Sequence, residues 1–120
     1  MPTLIKAPTT VPAAGTPPKT IDEYVGRVSS ATDRVSVAHM KSPAGWAEPG
    51  QKPRFEEITI VLRGMLRVEH AGGTMAVRAG QALIVHKDER VRYTSPEEGG
   101  AEYISVCLPA FSPQLVGRDA

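Results

Sequence analysis

The chain has 120 residues, which is the length of a single domain. Its 14 basic and 13 acidic residues give a formal net charge of +1 and interleave along the sequence. This balance argues against a nucleic-acid-binding surface, and no apolar stretch approaches the roughly 20 residues needed to span a bilayer. With one cysteine and no signal-peptide pattern over residues 1–14, the sequence predicts a cytoplasmic protein whose partner is a small molecule or a second copy of itself.

The first 19 residues are rich in proline and threonine and cannot hold a helix. We predict an extended arm over residues 1–19 and a β-barrel domain over residues 20–120. Composition leaves open whether the arm is disordered, lies along the barrel or crosses to a partner subunit. The apolar residues Leu4, Ile5 and Val11 favour one of the two ordered arrangements.

Behind the arm, Thr20 and Glu23 have the spacing of a capping box, and apolar residues follow at helical intervals. This pattern predicts a short helix over about residues 21–27. Further on, the apolar period changes to two, which indicates strands between Gly- and Pro-rich turns. The predicted strands cover residues 35–40, 58–62, 65–69, 74–77, 82–85, 91–94 and 103–108, with a stop at Gly64 and a hairpin turn at 71–73. Such spacing predicts an all-β antiparallel barrel or sandwich, of which a jelly roll is one form.

Glycine and glutamate positions in the middle of the chain carry a more specific pattern. The framework positions of the two cupin motifs are matched, with the spacing intact, by Gly45, Glu57, Gly64 and Gly80. The stretch from Phe55 to Pro109 is similar in particular to the ethanolamine-utilization Q-type cupins. The resemblance implies a single-domain cupin barrel, a jelly roll or double-stranded β-helix, that forms a homodimer by pairing sheets.

The same resemblance locates the positions where a cupin ordinarily holds a metal with three imidazoles and one carboxylate. Here those positions carry Gln51, Pro53, Val91 and Glu57. Proline and valine offer no donor atom, and glutamine offers only a neutral carbonyl oxygen. We therefore predict no standard iron, manganese or zinc site and no cofactor. A displaced metal site built from His39, Glu48 and Glu57 is the alternative.

Period-two alternation places Glu57, Thr59 and Val61 on one face of their strand, and the cupin resemblance implies that this face points into the barrel. A carboxyl group in an apolar interior is a candidate general base or acid for proton transfer. His39 and Tyr93 are its candidate partners, since Tyr93 shares the inward face of its strand with Val91. The prediction is a metal-independent isomerase, cyclase or lyase acting on a small metabolite. A Glu57 that only ties the neighbouring loop to the barrel wall remains an alternative.

Four further residues are candidates for binding the substrate. Trp46, Glu48 and Gln51 lie in the loop at one end of the barrel, where ligands enter such folds. Arg92 is a candidate clamp for an anionic group. The second functional hypothesis is a non-catalytic small-molecule-binding or accessory protein that uses the barrel mouth as its pocket.

Overall fold

The computed structural model describes residues 1–119 as nine β-strands joined by turns and loops. The strands are β1 Thr9–Val11, β2 Thr20–Val25, β3 Ser36–Ser42, β4 Trp46–Ala47, β5 Glu56–His70, β6 Gly73–Arg78, β7 Ala82–Val85, β8 Val91–Ser95 and β9 Ala101–Leu108. All strand pairs are antiparallel, and the all-β prediction is confirmed. Over these 119 residues, no helix is long and apolar enough to cross a membrane. Ala120, the last residue of the predicted barrel domain, lies outside the described residues.

The strands form one sheet that curls around the long strand β5. The first part of β5 pairs with β7 and β9, and β9 continues to β3, β2 and β1. The second part pairs with β6 and β8, and β8 continues to β4. The main apolar core joins both parts, with Val61 and Tyr103 from the first and Leu66 and Tyr93 from the second. The core therefore sits inside the curl, which is the barrel predicted from the strand pattern.

Strand β5 runs for 15 residues, although the sequence predicts two strands separated by a stop at Gly64. Its register with β9 shifts between Val61 and Arg63, as in a β-bulge. Gly64 follows with a φ of 73°, a backbone conformation that favours glycine. A side chain at this position would collide with the carbonyl group of Gly100. The bulge and the glycine thus bend the strand from one part of the sheet into the other without ending it.

The helix predicted over residues 21–27 is wrong, because Thr20–Val25 forms strand β2. This strand pairs with β3 on one side and with β1 on the other. Glu23 does not cap a helix; its carboxylate accepts hydrogen bonds from the backbone N–H groups of Val28 and Ser29. Pairing on both sides satisfies the backbone of β2, and this tertiary effect outweighs the local helical pattern.

The arm lies along its own barrel. Its strand β1 pairs with β2, and Thr16 exchanges two backbone hydrogen bonds with Ala47, at 2.9 and 3.0 Å. The carbonyl group of Ala14 accepts a hydrogen bond of 3.2 Å from the indole N–H of Trp46. The arm residues that reach the interior cavity are Val11, Pro12 and Lys19. One wall of that cavity is therefore supplied by the first 19 residues.

Candidate functional site

A cavity of about 60 Å³ lies inside the curled sheet. Three buried glutamates, Glu23, Glu48 and Glu57, line it. The other polar groups of its lining include Lys19, Gln51, Tyr93, Tyr103, Ser105 and Cys107. The volume corresponds to roughly four to six water-sized spheres, which suits a very small molecule or one end of a larger one.

Glu57 projects from the inward face of β5, as the cupin resemblance implies, and only 8% of it is exposed. The Tyr93 hydroxyl donates a hydrogen bond of 2.7 Å to Oε1, and the Ser105 hydroxyl donates one of 2.8 Å to Oε2. The Cys107 thiol also points at Oε2, with its sulfur 3.7 Å away. Donors on both oxygens suit the carboxylate form and hold it in one orientation.

Two of these donors are kept protonated by their surroundings. Burial raises the pKa of the Tyr93 hydroxyl well above its ordinary value, and the neighbouring charge of Glu57 raises it further. Burial and Glu57 raise the pKa of the Cys107 thiol in the same way. Both groups therefore remain hydrogen-bond donors at neutral pH. A thiol in this state is not a nucleophile, since the reactive form is the thiolate.

Glu48 lies in the loop after β4 and is 6% exposed, yet its carboxyl group forms no hydrogen bond or ion pair with the described residues. Its peptide group is held instead: the N–H donates to the Tyr93 carbonyl, and the carbonyl accepts from Arg92 Nε at 3.1 Å. Burial raises the pKa of Glu48 from 4.5 to about 7, with Lys19 lowering it and Glu57 raising it to lesser extents. Near neutral pH this carboxyl group exists in both protonation states.

The expected partnership of His39 with Glu57 is wrong. His39 lies on β3 between Ala38 and Met40, whose side chains line the cavity, so its own side chain points to the outer surface. There its Nε2 lies 2.7 Å from a carboxylate oxygen of Glu102. The imidazole is therefore part of a surface pair and takes no part in the interior site.

Of the four residues predicted to bind substrate, two line the cavity and two do not. Glu48 and Gln51 line it. Trp46 is fully buried in the apolar core, where its ring packs under the arm. Arg92 alternates with the inward-facing Tyr93 and so points outward, where its guanidinium donates to a surface glutamate at 2.8 Å. An anion clamp at Arg92 inside the barrel is therefore not formed.

Three further side chains that were not among the predicted site residues reach the site. Ser105 and Cys107 lie on the inward face of β9, and the strand register places Cys107 opposite Glu57. Alternation along β9 indicates that both side chains share one face of the strand, but it does not indicate that they contact Glu57. Lys19 comes from the arm, with Nζ 3.2 Å from the Tyr103 hydroxyl and 4.2 Å from the ring centroid of Trp46. Its position depends on the folded path of the arm, which local sequence does not encode.

The residues at the metal positions of the cupin motifs do not fit a metal ion. Pro53 and Val91 have no donor atom, and Glu57 already accepts hydrogen bonds at both carboxylate oxygens. The displaced set of His39, Glu48 and Glu57 does not assemble, because His39 points to the outer surface. Within residues 1–119, no group of three or more His, Cys, Asp or Glu side chains has an arrangement that could hold a metal ion.

Comparison with known proteins agrees with this fold. Residues 42–116 match the family described as AraC-like ligand binding domain. The Clostridium difficile EutQ protein is similar in structure, with a TM-score of 0.65 and 18% identity over 78% of this chain and 64% of that chain. The polyketide cyclase RemF from Streptomyces resistomycificus has a TM-score of 0.74 and 14% identity over 100% of this chain and 86% of its own. At such identities the likeness concerns the fold alone.

A curated protein of Myxococcus xanthus, named Endoribonuclease YbeY, is 43% identical over 97 residues, or 81% of this chain. The matched region is 33% of that protein, so the chain spans a third of the length of this relative and just under two thirds of the EutQ protein. The family match, by contrast, covers more than half of this chain. The chain belongs to the family of AraC-like ligand binding domains and has the cupin fold, resembling the EutQ type.

Proposed function

We propose that this protein acts on a small molecule in the barrel by acid–base chemistry, using its own carboxyl groups in place of a histidine-bound metal. The observation that carries the proposal is the contrast between Glu57 and Glu48, two of the three buried glutamates that line the cavity. Glu57 accepts hydrogen bonds at both oxygens, whereas Glu48 has no side-chain partner among the described residues. One carboxylate is held in place, and the other carboxyl group is free to exchange a proton.

Two glutamates share the acid–base role for which the sequence indicates Glu57: Glu48 transfers the proton, and Glu57 orients a neighbouring group and supplies charge. Glu48 accepts a proton from the substrate when ionised and returns it to another substrate atom when neutral, so no oxidant or reductant is needed. Its pKa of about 7 matches this task near neutral pH. Glu57 orients the Tyr93 hydroxyl and supplies a negative charge that stabilises positive charge on the substrate.

Isomerisation, cyclisation and elimination are the reaction classes that need only such proton movement. RemF, a protein of the same fold, is named a polyketide cyclase, which supports a reaction of this kind on a small organic substrate. The shared fold does not by itself assign a reaction to this protein, because one fold hosts many activities.

Proton exchange with solvent tests the proposal without knowledge of the natural substrate. A panel of small carbonyl compounds is incubated with the protein in ²H₂O, and loss of the proton signal next to the carbonyl is followed by NMR. We expect exchange with the wild-type protein and a loss of at least about 100-fold with Glu48→Gln, the usual size of a general acid–base contribution. Glu57→Gln should also reduce exchange, because it removes the anion that orients Tyr93.

Glu102→Gln is the matched control, since it makes the same chemical change on the outer surface beside His39. Exchange should be unaffected by this variant. Equal exchange rates in Glu48→Gln and the wild type would contradict the proposal.

A second function, binding without catalysis, is favoured by the description of the matched family as a ligand binding domain. It is also favoured by the small cavity and by the arm that forms part of its wall. Under this alternative, compounds shift the NMR spectrum of the wild-type protein, but none exchanges protons in ²H₂O.

A further inference from the structure

The interior site contains more negative charge than its cations neutralise. The charged and titratable groups that act on Glu48 are Lys19 from the arm, Glu57 from β5, Tyr93 and Arg92 from β8, and Arg118 from the chain after β9. The other titratable groups that line the cavity are Glu23, Tyr103 and Cys107. Glu23 accepts backbone hydrogen bonds from Val28 and Ser29, and Tyr93 and Cys107 are neutral at physiological pH. The carboxyl groups of Glu48 and Glu57 and three cations remain to be considered. The positions of the three cations decide whether Glu48 has a counter-ion.

None of the three cations forms an ion pair with Glu48 or Glu57. The Lys19 ammonium is held at the Tyr103 hydroxyl, 3.2 Å away, and over the ring of Trp46. Arg92 points outward and pairs with a surface glutamate. Arg118 lines the cavity but is largely exposed, and its guanidinium carbon lies 5.7 Å from the ring centroid of Phe111. Glu48 thus faces the cavity as a buried carboxyl group without a counter-ion.

The energetic consequence is visible in the proton affinity of Glu48. Even with the attraction of Lys19, Arg118 and Arg92, its pKa stays near 7, because burial and the charge of Glu57 oppose ionisation. A carboxyl group in this state gains most from a cation that enters the cavity and replaces the proton. An entering anion would instead meet the carboxylate of Glu57, whereas the Lys19 ammonium that also lines the cavity already contacts Tyr103 and Trp46.

We propose that the cavity binds a small organic cation of the primary alkylammonium class, with Glu48 as its counter-ion. An ammonium group has three donors and no acceptor, which suits the unpartnered Glu48 oxygens. The rings of Tyr93 and Tyr103, which also line the cavity, are favourable neighbours for a cation. The cavity volume limits the enclosed part to roughly four to six non-hydrogen atoms. The inference rests on the proposed function for the location of the ligand and adds its chemical class.

The test compares three ligands of similar size: n-propylammonium, neutral 1-propanol and anionic propionate. Binding to the wild-type protein is measured by NMR titration at pH 6 and pH 8, where the alkylammonium keeps its charge as a lysine does. If the cation binds only when Glu48 is ionised, the fraction of protein able to bind it rises from ~9% at pH 6 to ~91% at pH 8. The dissociation constant for propylammonium should therefore fall about tenfold between these pH values. The other two ligands should bind more weakly at pH 8.

Glu48→Gln should abolish this pH dependence and weaken propylammonium binding at pH 8 by about tenfold or more. Glu98→Gln, the same change at an exposed position, should leave both unchanged. Should Glu48→Gln fail to fold, the pH dependence of the wild-type protein decides on its own. Equal or tighter binding of propanol or propionate, or equal propylammonium binding at both pH values, would overturn the inference.

The outcome is separable from that of the proposed function. Loss of proton exchange in Glu48→Gln without alkylammonium binding would keep acid–base catalysis and remove the cationic ligand. Alkylammonium binding with the expected pH dependence but without proton exchange would keep the ligand class and favour the non-catalytic alternative.

Discussion

At the level of single residues, Glu48 and Glu57 show how surroundings differentiate two identical side chains. The Glu57 carboxylate receives hydrogen bonds from Tyr93 and Ser105, which offset the cost of burying its charge. Glu48 receives none from the described residues, so burial outweighs the attraction of Lys19, Arg118 and Arg92 and favours its neutral form. The site therefore joins a carboxylate held by hydrogen bonds to a group that changes its charge near physiological pH.

This arrangement predicts that the stability of the protein depends on pH through Glu48. The pKa of Glu48 is raised from 4.5 to about 7 on folding, so between these values the folded state binds more protons than the unfolded chain. The free energy of unfolding should therefore fall as the pH rises through this window, by up to about 3 kcal/mol. Below pH 4.5 the contribution is fully present, and above pH 7 it is lost.

Glu48→Gln removes the titrating group. The difference in the free energy of unfolding between variant and wild type therefore reports Glu48 alone, because all other titrating groups are shared. Urea unfolding of both proteins at pH 5, 6, 7 and 8 should show the variant gaining stability relative to wild type as the pH rises. Parallel pH profiles for the two proteins would show that Glu48 does not titrate in this window.

Sequence patterns predict part of this site. The cupin resemblance correctly places Glu57 inside, and alternation from the motif position Val91 correctly places Tyr93. No motif position fixes the direction of His39, because alternation divides a strand into two faces without saying which face is inward. The burial of Glu48 is beyond such patterns as well, since this residue lies in a loop whose path depends on the contacts of β4 and the arm.

Among the structural elements, β5 serves both parts of the sheet, and Gly64 is the position at which it bends. An alanine there would meet two costs: a φ of 73°, and a collision with the Gly100 carbonyl group. Gly80 provides a matched comparison, because its φ is 85° but no atom beyond its chain neighbours lies within 4 Å of the place a methyl group would occupy. Alanine variants of the two glycines therefore separate the cost of backbone strain from the cost of crowding.

We expect Gly80→Ala to lower the free energy of unfolding by about 1–2 kcal/mol, the cost of the left-handed backbone. Gly64→Ala should lower it by at least about 1 kcal/mol more, because the neighbouring chain at Gly100 must also move. Urea denaturation of both variants measures the difference. Equal losses would mean that the contact at Gly100 relaxes without cost.

Element prediction succeeds where local pattern and tertiary contacts agree. The hairpin at residues 71–73 joins β5 and β6 as expected, and the later strands lie close to their predicted ranges. Thr20–Val25 departs from its local pattern because β1 and β3 pair with it on both sides. The Gly64 stop is also wrong, since a glycine that ends a strand and one that bends it look alike in sequence.

For the whole molecule, the outward face of β5, β7 and β9 is apolar although it is exposed. The strand register places Ile58 beside Ile84 and Ile60 beside Ile104 on neighbouring strands. The exposed apolar side chains of this face are Ile60, Leu62, Ile84 and Leu108. Continuous apolar faces are uncommon on monomers, and an identical face on a second copy covers them about a twofold axis. We propose that the protein forms a homodimer through this face.

Light scattering after gel filtration tests the dimer. The wild-type protein should have the mass of two chains, and Ile84→Glu should have the mass of one, because it buries a charge in the interface. Met75→Glu is the control, since Met75 is 40% exposed but lies on β6, away from this face. A wild-type monomer, or an unchanged dimer in Ile84→Glu, would contradict this interface.

The position of β9 has a consequence for how the protein is made. β9 lies between β3 and β5 in the sheet, although it is the last strand in the chain. A ribosome therefore releases β3 and β5 before the strand that joins them exists, and their facing edges stay unpaired during that interval. A chain whose synthesis halts before Ala101 carries two open strand edges in place of a smaller barrel, so this fold is completed only when its last strand arrives.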